Sequence, residues 1–226
     1  KKIMKNLTLV IPAKKEKESL PKVINELKNY DLKILVVLEK NDLETINSIS
    51  NFDCQLVFQK KKGYGDAILE GLNLVDTEFF CIFNADGSFN PSELNIMYKK
   101  LKNENLDAVF ASRYEKDCGS EDDTFITYIG NFIFTKIGNV FFNLDITDIL
   151  YTYVMAKTEK IKILNLKKKD FGLCVELPIK AKRSDLNLGT SKSFERARIS
   201  GKKKVNAFKD GIYILLEMLK LFFYKK

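Results

Sequence analysis

Histidine is absent from all 226 residues. That absence removes serine–histidine and cysteine–histidine catalysis, histidine-ligated metals and an imidazole base titrating near neutral pH. Chemistry in this chain has to run on carboxylates, lysine, arginine, tyrosine or a metal held by oxygen. Only four cysteines occur, Cys54, Cys81, Cys118 and Cys174, with no CxxC spacing among them. Cys81 and Cys174 lie in apolar runs, so buried free thiols in a reducing compartment are expected. No apolar stretch reaches the ~20 residues of a spanning helix, and no signal peptide is visible.

What is present is an ordinary globular composition, 45% hydrophobic and 30% charged. A chain of 226 residues makes one large domain or two intimate ones. Such a chain buries roughly 70–75% of its unfolded surface. The formal net charge of +8 favours anionic partners such as phosphorylated substrates, nucleic acid or a membrane surface. Much of that excess is lysine, which also coats unremarkable surfaces. Nothing resembles a helix-turn-helix, an aromatic RNA-binding strand motif or a zinc site, so no nucleic-acid partner is expected.

The first half alternates between two periodicities. Leu7 to Ile11 is a short apolar run stopped by Pro12, hence a strand. Ser19 is placed to cap an amphipathic helix running to Tyr30, with Pro21 in its first turn. Lys33–Leu38 reads as a second strand, residues 42–50 as a short helix and Gln55–Phe58 as a third strand. A glycine-punctuated stretch, KKGYGDAILEGLNL, leads into a helix, and Glu78–Phe83 makes a fourth strand. Asn90-Pro91-Ser92-Glu93 has the form of a capping box opening a helix to about Asn103, and Asp107–Ala111 is a fifth strand. Strands separated by helices of this length predict an α/β fold, a doubly wound, mostly parallel sheet with flanking helices. Ligands of such sheets bind beyond the carboxyl ends of the strands. From residue 120 the pattern changes. Phe125–Phe142 and residues 205–224 are strongly apolar on more than one side, which suits core, a subunit interface or an amphipathic element lying in a membrane surface.

The stretch FNADGSFN ends the fourth strand. Asn, Asp and Gly are turn residues, so a plain turn accounts for it. Two oxygen side chains at a strand tip also suit a divalent cation beneath a diphosphate. Both readings stay open on the residues alone.

VIPAKKEKESLPKVINEL, GYGDAILEGL, FNADGSFNP, Ala111-Ser112-Arg113-Tyr114 and FERARISGKKKVNAFKDG occur in the order found in inverting nucleotide-sugar glycosyltransferases. The chain resembles the dolichol-phosphate mannosyltransferase branch of that family over nearly its whole length. The resemblance implies a GT-A fold, a nucleotide-diphosphate sugar donor (UDP or GDP) and a divalent cation, Mg²⁺ or Mn²⁺. It also implies a polyprenyl-phosphate acceptor met at the cytoplasmic membrane face by a peripheral, membrane-associated chain. The family's nucleoside-contacting turn matches Pro12, Ala13, Lys14 and Glu16. The family's paired acids after strand two fall on Leu38 and Glu39, next to Val37, so only Glu39 keeps a carboxylate. Gly65 and Asp66 correspond to the glycine-rich turn. The DxD motif falls on Asn84, Ala85 and Asp86, with Asp86 and Asn84 as metal ligands, and asparagine here offers a neutral oxygen. Arg113, Arg198 and Lys204 match phosphate-facing cations, and Asp148 an aspartate near the acceptor. Asp86, Arg113 and Asp148 are therefore the expected catalytic residues.

The whole chain, 1–226, is expected to be one GT-A domain, with residues 1–115 binding the nucleotide sugar and 116–226, including amphipathic C-terminal helices, binding the acceptor. Two alternatives keep the fold: a saccharide or other cell-envelope acceptor, or a nucleotide-sugar-binding pseudoenzyme. Oligomerisation is compatible with either.

Overall fold

The computed structural model describes residues 2–201 and 207–224. Its frame is a seven-stranded sheet in the order β3-β2-β1-β4-β7-β5-β8. The first strands are β1 (Lys2–Pro12), β2 (Tyr30–Leu38), β3 (Gln55–Phe58), β4 (Phe79–Ile82) and β5 (Ala108–Ser112). The connecting helices are α1 (Leu20–Leu27), α2 (Leu43–Ser48), α3 (Tyr64–Leu74) and α4 (Glu93–Asn103). Beyond them come β6 (Gly119–Ser120), α5 (Phe125–Phe142), β7 (Val154–Lys157), α6 (Thr158–Lys162), α7 (Leu173–Arg183), β8 (Leu188–Lys192), β9 (Phe194–Glu195) and α8 (Ala207–Phe223). The sheet is parallel except for β7, which inserts antiparallel between β4 and β5. A two-stranded parallel ribbon, β6-β9, stands apart from it.

Strand parity sorts the two cores, because successive side chains point to opposite faces. Leu7, Leu9 and Ile11 of β1 join Phe79 and Cys81 of β4 on the face covered by α1 and α4. Val10, Phe80 and Ile82 point the other way, against α3, α7 and the inner side of α8. Both faces are thus buried, as a parallel sheet requires. Helix α3 lies especially close. A Cβ built on Gly71 would sit 2.4 Å from Val10 Cγ1 and 3.0 Å from Val37 Cγ2. Gly71→Ala is therefore expected to destabilise the protein by about 1–3 kcal/mol through overpacking, despite alanine's better helix propensity. Urea unfolding would show the lowered midpoint.

Two expected caps are replaced by bonds to other partners. Ser19 precedes α1, but its hydroxyl donates to Glu16 Oε2 at 2.5 Å rather than capping the helix. The Asn90–Glu93 box does not close. Asn90 Oδ1 accepts from Ser92 N at 3.0 Å, while the buried Glu93 carboxylate accepts from Ser193 Oγ at 2.6 Å and Phe194 N at 2.9 Å. Glu93 thus anchors β9, 101 residues downstream, instead of its own helix.

Helix α5 is a further difference from the sequence expectation. It is an 18-residue helix of mean hydropathy 1.2, long and apolar enough by length and composition to cross a membrane, and 17% of it is buried. Its inner stripe is polar and committed to the body. Leu150 N donates to Asn131 Oδ1 at 3.2 Å, and Ile149 N to Thr135 Oγ1 at 3.2 Å. These bonds hold α5 lengthwise against the domain, beside α8.

Candidate active site

A cleft of about 420 Å³ opens beyond the carboxyl ends of β1, β2 and β4. Its first wall is the turn after β1. Ala13 N donates to Val37 O at 2.9 Å, Lys15 adopts a left-handed φ of 53°, and Lys15 N donates to Asp42 Oδ2 at 2.6 Å. Glu16 is buried, its amide bound to Thr45 Oγ1 at 2.9 Å and its carboxylate to Ser19. Pro12, Ala13, Lys14, Glu16 and Glu39 all line the cleft, and Lys14 Nζ pairs with Glu39 Oε1 at 3.0 Å. Val37 does not line it. Its side chain is fully buried in the core, and only its carbonyl reaches the turn.

The glycine-rich turn serves a different purpose from the one expected. Cβ atoms on Gly63 and Gly65 would lie 2.0 Å from Lys169 O and 2.3 Å from Lys168 O. The close approach that glycine allows is thus made by the chain's own loop at residues 168–170. Asp66 is buried, accepting from Lys61 N at 2.8 Å and pairing with Lys169 Nζ at 3.1 Å. Gly65 and Asp66 brace that loop and do not face the cleft, whereas Gly63 and Tyr64 do.

The tip of β4 brings Asn84, Ala85 and Asp86 to the cleft centre. Asp86 Oδ1 accepts from Ser88 N at 3.0 Å, the bond of an ordinary Asx turn. Asp86 Oδ2 faces Arg198 Nη1 at 3.8 Å. Asn84 directs its amide nitrogen to Ser88 Oγ at 3.4 Å, which leaves the amide oxygen as an acceptor. The turn bonds thus leave Asp86 Oδ2 and Asn84 Oδ1 outside the turn itself, both on residues that line the cleft. No group of three or more acidic or cysteine side chains is arranged as a complete metal cage among the described residues.

Arg113 and Asp148 form the floor. Arg113 Nε and Nη2 reach the two oxygens of Asp148 at 2.8 and 3.0 Å, and Nη1 reaches Glu195 Oε2 at 2.9 Å. Asn131 also donates to Asp148. Burial alone would lower the Arg113 pKa, but the Asp148 and Glu195 carboxylates hold it well above its usual value. Five guanidinium N–H groups exist, so one on each terminal nitrogen remains beyond these bonds. Arg113 lines the cleft; Asp148 is 1% exposed and lies beneath it, so the expectation of a catalytic Asp148 is replaced by a brace that orients Arg113. Glu176 is likewise structural, accepting from Lys167 N and Lys168 N at 3.0 and 2.8 Å. Arg198 lines the cleft, while Lys204 lies outside the described residues.

Residues that the sequence did not single out complete the site. Asp122, Asp123 and Glu195 line it, and Arg198 forms a bidentate pair with Asp122 at 2.7 and 3.1 Å. The signal available was the acidic run Glu121-Asp122-Asp123, complementary to the basic Phe194–Lys204 stretch. Among the described residues the cleft is lined by six carboxylates, Glu16, Glu39, Asp86, Asp122, Asp123 and Glu195, and three cations, Lys14, Arg113 and Arg198. Among the described residues of this net-positive chain, carboxylates thus outnumber cations along the cleft.

The far end is apolar. Leu150, Tyr151, Phe171 and Ile214 line it, with Tyr64 stacked on Phe171 at 4.9 Å. Cys174 borders the cleft, half-buried rather than fully buried, its thiol pushed up to about 12 by desolvation and thus unreactive. Ile214 belongs to α8, whose outer face exposes Ile212, Tyr213, Leu216 and Leu219, while Phe208 and Phe223 near its ends are 82% and 74% exposed. Phe125, Ile126, Phe132 and Ile133 continue this apolar surface on α5.

Comparison with known proteins identifies the fold and the family. The crystal structure of glucosyl-3-phosphoglycerate synthase from Mycobacterium tuberculosis, in complex with Mn²⁺, UDP and glucosyl-3-phosphoglycerate, superposes with a TM-score of 0.77 at 13% identity, covering 97% of this chain and 80% of that one. A second crystal structure, of a mycobacterial protein, gives a TM-score of 0.73 at 12% identity, covering 97% and 75%. These likenesses establish the GT-A fold. Uncharacterized glycosyltransferases of Mycobacterium tuberculosis (strain ATCC 25618 / H37Rv) and Mycobacterium bovis (strain ATCC BAA-935 / AF2122/97) are each 28% identical over 95 residues, 42% of this chain and 43% of theirs. The match thus spans less than half the length of these curated relatives. The model of glycosyl transferase family 2 matches residues 8–164, more than half of the chain, and the protein belongs to that family.

Proposed function

We propose that this protein is an inverting glycosyltransferase that moves a hexose from a UDP- or GDP-sugar to a polyprenyl phosphate, in the manner of dolichol-phosphate mannosyltransferases, at the cytoplasmic face of a membrane. The observation that carries the acceptor is continuity. The cleft runs from the carboxylates at the strand tips to Ile214 of α8, and the outer faces of α5 and α8 are exposed and apolar. A lipid phosphate could lie with its tail along these helices and its head in the cleft.

The donor end supports a nucleotide diphosphate. Glu16 and Glu39 accept hydrogen bonds from base or ribose, with Pro12, Ala13 and Lys14 beside them. Asn84 Oδ1 and Asp86 Oδ2 are the oxygens that would hold Mg²⁺ or Mn²⁺, a hard cation satisfied by few protein ligands when phosphate oxygens and water complete its shell. The carboxylates that outnumber cations among the described lining residues make such a cation fit the site, because they disfavour a bare diphosphate. When bound, the metal supplies charge stabilisation to the leaving diphosphate. Arg198 adds bidentate contact to phosphate oxygens. Arg113, held by Asp148, presents its remaining N–H groups towards the acceptor. A phosphate acceptor is already ionised near neutral pH, so no strong general base is needed. Catalysis then rests on in-line positioning and electrostatics.

Crystal structures of glucosyl-3-phosphoglycerate synthase hold phosphoglyceric acid, a small phosphorylated molecule, which favours a second reading in which the acceptor is soluble. Flotation with anionic vesicles separates the two. The lipid reading expects the chain to float and to transfer radiolabelled sugar to polyprenyl phosphate in those vesicles; a chain that stays at the bottom of the gradient and glycosylates only soluble acceptors contradicts it.

A further inference from the structure

We propose that Asp122 sets the donor affinity of this site by competing with the donor diphosphate for Arg198. The inference rests on the nucleotide-diphosphate reading above and adds a residue that it does not use. Arg198 turns its Nε–Nη2 edge, the edge best suited to two oxygens of a phosphate, onto both oxygens of Asp122 at 3.1 and 2.7 Å. Its remaining Nη1 lies 3.8 Å from Asp86 Oδ2, so the guanidinium sits between two carboxylates where a metal diphosphate would sit. Both side chains line the cleft, and the hydrogen bonds that Arg198 donates to Asp122 raise the Arg198 pKa.

The two partners are not equally free to move. Asp122 is fixed by its backbone. Asp122 N donates to Ser120 Oγ at 3.1 Å, Ser120 Oγ in turn donates to Glu195, and β6 pairs with β9. Glu121 closes the same ribbon, its amide on Glu195 O at 2.9 Å and its carboxylate accepting from Ala197 N at 2.9 Å. Arg198 has a long side chain with several rotatable bonds, and its backbone is held beside the metal-site turn, where Ile199 N donates to Asp86 O at 2.8 Å. The exchange is therefore a swing of the arginine from a fixed carboxylate to a phosphate a few ångströms away. Breaking the Asp122 pair is part of the cost of every binding event.

Asp122→Asn keeps the side-chain shape and an acceptor oxygen but removes the competing charge. Titration calorimetry with UDP and with GDP, each with MnCl₂, is expected to show nucleotide binding at least about 2- to 5-fold tighter than wild type, the worth of an exposed ion pair, since this pair is only 19% and 15% exposed. Arg198→Ala should bind more weakly, and Asp122→Asn should bring no gain in the Arg198→Ala background. Unchanged or weaker binding by Asp122→Asn overturns the competition, and so does a gain that persists without Arg198, which would mean direct repulsion. Asp122→Ser serves with the same outcomes if the asparagine variant does not fold. A wild-type chain that binds neither nucleotide overturns the donor reading and the competition with it. Wild-type binding with no gain in the variant overturns the competition alone.

Discussion

Asp86→Ala should abolish metal-dependent nucleotide binding, lowering affinity in the presence of Mn²⁺ by more than about 100-fold, since even outer-shell partners of a metal are worth about 10–100-fold. In the proposed site Asp86 would supply the single carboxylate that the β4 tip offers to a cation, and Asn84 a neutral oxygen, which holds a hard cation less strongly. The variant also removes the acceptor for Ser88 N, at 3.0 Å, so some loss of turn stability is expected alongside. Calorimetry with UDP or GDP distinguishes the two effects. Binding measured without metal should not fall, because a carboxylate beside the diphosphate and Arg198 is gone, whereas the increment gained on adding MnCl₂ should vanish. A variant that keeps the full increment places the cation elsewhere. Asn84→Asp is the complementary change and should strengthen that increment, because it restores a second carboxylate.

The largest expected effect on stability lies one layer deeper. Asp148→Ala removes both acceptors of the Arg113 Nε–Nη2 edge and leaves a guanidinium, itself only 9% exposed, whose remaining carboxylate neighbours, Glu195 at 2.9 Å and Asp123 at 3.9 Å, both lie on Nη1. Deleting one partner of a buried pair typically costs about 3–5 kcal/mol when the surviving charge is uncompensated; Glu195 still compensates Arg113, so the cost here should fall near about 3 kcal/mol, chiefly from buried N–H donors left without an acceptor. The loss should appear in denaturant unfolding, with the transition midpoint strongly lowered. Asn131 would also lose its acceptor, loosening α5 along the polar stripe that fastens it to the body. Asp148→Asn keeps the shape and an acceptor oxygen, so it should recover much of the stability while the acceptor KM, if Arg113 meets the acceptor, still rises. An Asp148→Ala protein as stable as the parent would show that Arg113 finds other partners.

These two residues mark the boundary between what the chain spells out locally and what folding decides. Residue order alone displayed the first five strands and the helices between them, because the 2.0 and 3.6 periodicities are properties of short windows. It also placed Pro12, Glu39, Asn84, Asp86 and Arg113 at strand ends, and strand ends converge on one edge of a parallel sheet. The absence of histidine excluded whole classes of chemistry before any geometry was considered. Local pattern failed where the partner is remote. It could not show β7 slipping antiparallel between β4 and β5, nor the burial of Asp148. The loop at residues 168–170 filling the space above Gly63 and Gly65, and the Asp122–Arg198 pair spanning 76 residues, were equally hidden. The choice of a partner among many carboxylates and cations is made by which elements pack side by side. The residue types fixed the kind of site; the tertiary packing decided which of those groups are free to meet a ligand and which are already holding one another.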